Sequence, residues 1–299
     1  MSEREHRSGF ATLVGRPNVG KSTLLNRVIG QKVAIISDKP QTTRHQIRCI
    51  LTLPRAQVIF VDTPGIHKPR HLLGEFMVRA ALDTLKEVDL VIFVLEAQQP
   101  LGPGDNYILE RLNEVKTPVI ACVNKIDRVR KEQLLPLIDE LSKKREFTAI
   151  VPVSALTGEN VDRLVEVIVE NLPPGPQYYP PQVVSDQPER VVIAELIREK
   201  ILQLTREELP HGVAVMVEEM GTRRENLLYI RALIFTERES HKGILIGQGG
   251  QMLKQIGQLA REEIEALFGQ RVYLDLWVKV KPHWRRNEAF LRQVGYVPE

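Results

Sequence analysis

The segment Gly15-Arg-Pro-Asn-Val-Gly20-Lys21-Ser22 constrains this chain more than any other stretch. Residues 9–14 before it form an apolar run of strand length, and residues 22–29 after it carry apolar side chains at helical spacing. Strand, glycine loop and helix together are the context of a phosphate-binding loop; a chance Gly/Lys/Ser turn is the alternative. Gly15 and Gly20 permit backbone angles that turn consecutive N–H groups inward onto phosphate oxygens, and the helix N-terminus adds partial positive charge there. Lys21 reaches the β- and γ-phosphates, the Ser22 hydroxyl serves Mg²⁺, and Arg16, Pro17, Asn18, Val19 and Thr23 complete the nucleotide-binding stretch.

A chain of 299 residues has room for one or two domains, each with its own core. Its formal charge of +3 is small for that length, so any nucleic-acid surface must be local. Cys49 and Cys122 both lie in apolar strand-like runs and read as buried free thiols in a reducing compartment. The charged N-terminus lacks the apolar core of a secretory signal, and the longest apolar run, residues 90–95, is too short to cross a bilayer. A cytoplasmic location is expected.

Residues 32–45 read as a mobile loop carrying the adjacent Thr42 and Thr43. A threonine there can offer its hydroxyl to Mg²⁺ and its N–H to the γ-phosphate, contacts that vanish with that phosphate. Strands are expected at 46–53 and 57–61, the second ending in Asp62-Thr63-Pro64-Gly65. Asp62 suits a Mg²⁺-supporting carboxylate, and the Gly65 N–H can face the γ-phosphate. Helices are expected at 75–86, 104–115, 131–144 and 160–171, with strands at 89–95, 118–123 and 147–153. Asn124-Lys125-Ile126-Asp127 ends the 118–123 strand. A carboxylate at Asp127 can accept from both the ring N1–H and the exocyclic amine of guanine, a donor pair adenine lacks, while the Lys125 stem lies along the base and Asn124 ties the loops. Ser154-Ala155-Leu156 can offer backbone N–H groups to the guanine carbonyl. The alternation of strand and helix predicts an α/β fold, a mostly parallel sheet with helices on both faces, its motifs lying at the ligand-binding edge of the sheet.

The proline-rich stretch 172–181 marks a boundary and reads as an extended, semi-stiff linker, with a proline ligand for another protein as the alternative. The expected division is 1–172, a linker at 173–189, and 190–299. Beyond the linker come a long amphipathic helix at 190–208, strands at 212–217 and 227–235, a helix at 251–267 and a strand at 272–280. Ile246-Gly247-Gln248-Gly249-Gly250 supplies a Gly-x-x-Gly turn between helical segments, where a nucleic-acid strand can approach the backbone closely. From Val183 onward 17 basic residues face 17 acidic ones, so positive charge is local. It gathers at His241 and Lys242, and at Lys279, Lys281, Arg285 and Arg286 with Trp284 among them, a mixture that suits single-stranded RNA; a solvated charged tail is the alternative.

Taken in order, Gly-Arg-Pro-Asn-Val-Gly-Lys-Ser-Thr at 15–23, Gln-Thr-Thr-Arg-His at 41–45, Asp-Thr-Pro-Gly at 62–65, Asn-Lys-Ile-Asp at 124–127 and Ser-Ala-Leu at 154–156 resemble the Era-like bacterial GTPases. In that family the second domain is a KH domain of the bacterial type, matching the order helix, two strands, helix, Gly-x-x-Gly, helix, strand. The resemblance implies Mg²⁺-dependent GTP hydrolysis coupled to single-stranded RNA near the 3′ end of 16S rRNA during 30S subunit maturation. It also implies peripheral association with the inner membrane; a monomer is expected. Lys21, Thr43, Gly65 and Asn18 are the expected catalytic set, and Ser22, Thr43 and Asp62 the metal set. Ras-like proteins orient water with a glutamine just after the Asp-x-x-Gly turn, where this chain has Ile66. Asn18 resembles the asparagine of relatives that recruit K⁺, so K⁺ stimulation is expected. Two rivals remain open: a GTP-binding scaffold or checkpoint with negligible turnover until a partner stimulates it, and a metabolic P-loop kinase, which would have no use for Asn124–Asp127 or a KH domain.

Overall fold

The computed structural model describes residues 5–37, 39, 42–44, 46–66, 69, 71–206, 209–224 and 226–297. The chain divides into two compact units: Met1–Ile36, Thr43–Arg70 and Gly74–Asp186 form the first, and Ser37–Thr42, His71–Leu73 and Gln187–Glu299 the second.

The first unit runs β1 (Arg7–Val14), α1 (Lys21–Ile29), β2 (Ile47–Leu53), β3 (Ala56–Asp62), α2 (Leu72–Glu87), β4 (Leu90–Glu96), α3 (Pro103–Asn113), β5 (Val119–Asn124), α4 (Lys131–Lys144), β6 (Ala149–Pro152) and α5 (Val161–Glu170). Its six strands are ordered β2-β3-β1-β4-β5-β6, and β2 alone runs antiparallel, against β3. The apolar run in β4 follows from this topology. Successive strand side chains point to opposite faces. Leu90, Ile92 and Val94 therefore enter one core and Val91, Phe93 and Leu95 the other. Each such side chain contributes roughly 1.5–3 kcal/mol on burial. With β3 on one side of β1 and β4 on the other, the turn after β1 falls at the switch point where open α/β sheets bind ligands. Cys49 and Cys122 are buried and free, and burial pushes both thiols up.

The proline-rich stretch, expected as an extended, semi-stiff linker, is laid along the first unit. Gln57 on β3 is fully buried, and its amide explains the docking. Its Oε1 accepts from the Tyr178 and Tyr179 N–H groups at 2.7 and 2.9 Å, and its Nε2 donates to the Tyr179 carbonyl at 2.8 Å. A buried amide left unpaired would cost about 1–3 kcal/mol, so these bonds favour the docked path. Ser8 donates to the Pro176 carbonyl at 2.6 Å, and the Ile50 N–H to the Val184 carbonyl at 2.9 Å.

The second unit contains α6 (Glu189–Leu204), β7 (Ala214–Arg224), β8 (Leu227–Thr236), α7 (Glu239–Ile246), α8 (Gln251–Phe268), β9 (Arg271–Val280) and α9 (Glu288–Gln293). Its sheet is β7-β8-β9, with β7 antiparallel and β9 parallel to β8. The parallel pair needs a long crossover, which α7, the glycine turn and α8 supply. Ile256, Ala260 and Ile264 recur every fourth residue on α8 and pack with Ile193, Ile197 and Ile201 of α6 in one core. Two expectations change. Strand β7 extends past 217 to Arg224, with register shifts at Val217/Glu219 and Thr222/Arg224. Helix α6 ends at Leu204, while Glu207 and Glu208 lie outside the described residues. Nor is α6 simply two-faced: residues 193–202 are buried, and its charges are paired, Arg198 with Glu195, and Lys200 with Glu199 at 2.9 Å and with Glu263.

Candidate functional site

Four strand ends supply the first site. The loop between β1 and α1 places Gly20 at φ +98°, and a Cβ there would lie 2.4 Å from Asn124 Nδ2, so only glycine fits. Lys21 is buried, with Nζ donating to the Gly15 and Arg16 carbonyls at 3.2 and 3.1 Å. Gly65 lies close above it: a side chain there would come within 3.3 Å of both Lys21 Nζ and the Pro17 N. Asn18 is exposed at the loop tip with φ +68°, Val19 is buried beneath it, and Thr23 sits half-buried in the first turn of α1. The Arg16 side chain leaves the site, since Nε pairs with Asp105 at 2.8 Å. The nucleotide role expected of Arg16 is thus left to its backbone.

The metal set converges. Thr43 Oγ1 lies 3.3 Å from Ser22 Oγ and donates to Asp62 Oδ2 at 3.4 Å. Asp62 Oδ1 is buried without a hydrogen-bond partner. Orphaned carboxylate oxygen beside two hydroxyls is the hard-oxygen chemistry Mg²⁺ takes when it shares phosphate ligands, so these residues fit the ion. Burial pushes Lys21 down to about 8, with the Asp62 charge opposing it. Burial likewise raises the Asp62 carboxyl to about 6, offset by Lys21 and by hydrogen bonds from Thr43 and Thr63. Each group is short of counter-charge, and a triphosphate with its cation supplies both signs.

Around this centre the loop residues separate. Thr42 turns its hydroxyl to the Lys39 carbonyl at 2.6 Å, so the adjacent Thr43 alone reaches Asp62 and Ser22. The fully buried Thr63 donates to the Leu13 carbonyl at 3.3 Å, and Pro64 is buried beside it; the Thr63 hydroxyl is thus directed to β1 and away from a nucleotide. Gln41 and His45 of the motif at 41–45 lie outside the described residues. Ile66 is 2% exposed and belongs to the core beside α2, which accounts for its apolar character.

The base side is stapled by Asn124. Its Nδ2 donates to the Val19 carbonyl at 2.8 Å, and its Oδ1 accepts from the Ala155 N–H at 3.0 Å. Ser154 Oγ donates to Asp127 Oδ1 at 2.5 Å, aiming the carboxylate. Lys125, at φ +67°, donates to the Asn18 carbonyl at 2.8 Å and pairs with Glu96. Leu156 is exposed at the rim. Glu96 was missed from sequence; as the first charged residue after an apolar run, at a strand end on the ligand edge, it carried a readable signal. Asp105, which holds Arg16, had none.

In the second unit Gly247 sits at φ +72°, Gln248 and Gly249 are exposed, Gly250 is half-buried, and Ile246 backs the turn. A groove of about 510 Å³ runs from Gly250 between α8 and β9, past Lys254, Gly257, Arg261 and Tyr273. Sequence reading missed that wall, although Lys254 and Arg261 stand two helical turns apart on one face. Of the basic residues expected at RNA, Lys281 and Arg286 are exposed, Lys279 is exposed with Glu218 at 4.0 Å, and Lys242 is half-buried. One expectation is corrected. Trp284 is fully buried, donates Nε1–H to the Gly212 carbonyl at 3.0 Å and packs on Phe290 and Tyr296, so no base can stack on it. Arg285 spends its guanidinium on Glu237. His241 lies half-buried against Gly212, with Nδ1 buried.

Comparison with known proteins gives the same two-part division of chemistry. A family described as 50S ribosome-binding GTPase matches residues 10–125, and the KH domain family matches residues 208–285. A variant of Aquifex aeolicus Era bound to GDP and AlF4⁻ is 45% identical, covers 97% of this chain and 99% of that one, and superposes with a TM-score of 0.94. Era in complex with MgGDPNP and nucleotides 1506–1542 of 16S ribosomal RNA is also 45% identical, with 98% and 99% coverage and a TM-score of 0.95.

Proposed function

Because this chain belongs to the Era family of GTPases, we propose that it hydrolyses GTP with Mg²⁺ and lets the γ-phosphate govern its hold on the 3′ end of 16S rRNA during 30S subunit assembly. The observation that carries the nucleotide half is the convergence of Lys21, Ser22, Thr43 and the partnerless Asp62 oxygen at one point. Ser22, Thr43 and Asp62 would hold Mg²⁺, which when bound supplies positive charge for the phosphate oxygens. Lys21 and the N–H groups of the phosphate loop steady the charge that builds as water attacks in line, and Gly65 offers its N–H from above. Asp127 reads the guanine edge, and the Asn124 staple keeps base and phosphate loops in register. The working division is a GTP-binding domain at 1–172, a linker at 173–189 and an RNA-binding domain at 190–299. The groove between α8 and β9 takes the RNA strand, with Gly247–Gly250 against its backbone and Lys254 and Arg261 along its phosphates. The chain works as a monomer in the cytoplasm, with peripheral contact to the inner membrane; among the described residues no helix is long and apolar enough to cross a membrane.

Buried Ile66 cannot orient the attacking water, so the exposed Asn18 takes on recruitment of K⁺ beside the phosphates. Hydrolysis is expected to run several-fold faster in KCl than in matched NaCl; equal steady-state rates would remove this role. The same burial of Ile66 favours a second reading, a checkpoint that barely turns over until RNA or the small subunit supplies what is missing. Turnover measured with and without a 3′-terminal 16S fragment separates the two: appreciable hydrolysis alone supports the first, and dependence on RNA the second.

The RNA half is tested most cleanly at Gly249. A side chain at Gly247 would meet Met252 at 2.8 Å, so substitution there also disturbs the fold. Gly249, at φ +59°, has nothing within 4 Å, and an aspartate tolerates that backbone region. Gly249→Asp is expected to weaken RNA binding at least tenfold, about 1.4 kcal/mol, while leaving GTP affinity unchanged. Unaltered RNA affinity in a filter assay would move the RNA away from this turn.

A further inference from the structure

Helix α1 is anchored to the phosphate site at one end, and its other end reaches the base-reading loop. Arg27, on the last turn of α1, donates from Nε to the Ala155 carbonyl at 3.2 Å and from Nη2 to the Leu156 carbonyl. Those two peptides belong to the turn that presents N–H groups to the base. The opposite face of the turn is already held: Asn124 Oδ1 takes the Ala155 N–H at 3.0 Å, and Ser154 Oγ takes the Thr157 N–H at 3.1 Å. Within one peptide unit the C=O and N–H point in opposite directions, and the Ala155 carbonyl shares its peptide with the Leu156 N–H, so a clamp on that carbonyl fixes where the Leu156 N–H aims.

We propose that Arg27 is a positioning residue for guanine recognition, clamping the carbonyl side of the 154–156 loop so that the Leu156 N–H meets the base oxygen at O6. This rests on the guanine-reading site described above. The fork of the guanidinium suits the task because it spans two consecutive carbonyls with a fixed plane, where an ammonium would reach one at a time. Its placement also joins two subsites. Lys21 and Arg27 stand six residues apart on one helix, about 9 Å along its axis, so a rigid rod sets the separation between phosphate grip and base grip. Asn124 ties the same loops from the other side through the Val19 carbonyl. The loop therefore has one support on each face.

The test uses the full chain and three nucleotides: GTP, ITP, which keeps O6 and N1–H but lacks the exocyclic amine, and 2-aminopurine riboside triphosphate, which keeps the amine but lacks O6 and, with it, the N1–H. Arg27→Ala is expected to weaken GTP and ITP about tenfold each, the size of one charge-assisted hydrogen bond, and to leave the 2-aminopurine nucleotide within about twofold. The GTP-to-ITP ratio, read by Asp127, stays constant. Arg27→Lys recovers part of the loss. Unchanged GTP affinity would overturn the proposal. So would an equal loss for all three nucleotides, the result expected if Arg27 only stabilises the domain; thermal unfolding without nucleotide is measured alongside. If the unmodified protein fails to prefer GTP over the 2-aminopurine nucleotide, the guanine-reading site itself falls and this role falls with it. If it keeps that preference and Arg27→Ala keeps it equally, only the Arg27 role is lost.

Discussion

An Asp127→Asn variant is expected to exchange guanine for xanthine. The carboxylate accepts from two guanine donors, N1–H and the exocyclic amine; an asparagine keeps one acceptor and gains a donor. Xanthine carries a carbonyl where guanine has the amine, so the new donor finds a partner there and only repulsion with guanine. The local geometry selects the orientation. Ser154 Oγ donates to Asp127 Oδ1 at 2.5 Å, and an asparagine that keeps its oxygen on that hydroxyl turns its NH₂ to the ligand. A site built for a hydrogen-bond pair rejects a ligand that cannot make it by roughly 10²- to 10⁵-fold, and the preference for GTP over XTP should change by an amount in that range. Competition binding of GTP and XTP decides it, and a variant that still prefers GTP would move guanine reading off Asp127.

Lys21→Ala should damage the phosphate site in two ways at once. The ammonium that would bridge the β- and γ-phosphates is gone, and so is the charge that opposes the upward push of burial on the Asp62 carboxyl. Asp62 then sits buried with one oxygen unpartnered and no cation beside it, and it holds its proton more firmly at the expense of Mg²⁺. Removing one preorganised charge-stabilising group costs on the order of 10²- to 10³-fold in turnover. GTP affinity should fall more than GDP affinity, because only GTP carries the γ-phosphate. Single-turnover hydrolysis with both affinities measured checks this; a variant within threefold of the parent rate would show that the loop N–H groups suffice.

The parts legible in the sequence are those whose physics is local. Gly15 to Ser22, Asp62 and Asn124 to Asp127 each sit where a strand gives way to a loop, and both the chemistry and the position can be seen within a few residues. The KH-like order of elements was legible for the same reason, since periodicity marks helices and strands without reference to partners. Contacts between distant positions were hidden. Trp284 among basic residues reads as a stacking platform until the Gly212 carbonyl and the rings of Phe290 and Tyr296 enclose it. The proline stretch reads as a spacer until Gln57, far earlier in the chain, binds its backbone. Lys254 and Arg261 were passed over because an exposed basic residue on a helix is ordinary; the groove beside β9 gives them meaning, and no local pattern announces it. Arg16 shows the converse. The motif puts it in the loop, and Asp105 takes its side chain elsewhere.

The γ-phosphate, sensed at Lys21, Thr43 and Gly65, is expected to govern RNA binding in the second unit. This is tested by the affinity of the full chain for a 3′-terminal 16S rRNA fragment, by fluorescence anisotropy, in the presence of Mg²⁺ with GDPNP and with GDP. Couplings of this kind span about 5- to 150-fold, and tighter RNA binding with GDPNP by a factor in that range is the predicted result. The same Kd with both nucleotides would show that the γ-phosphate does not govern RNA binding.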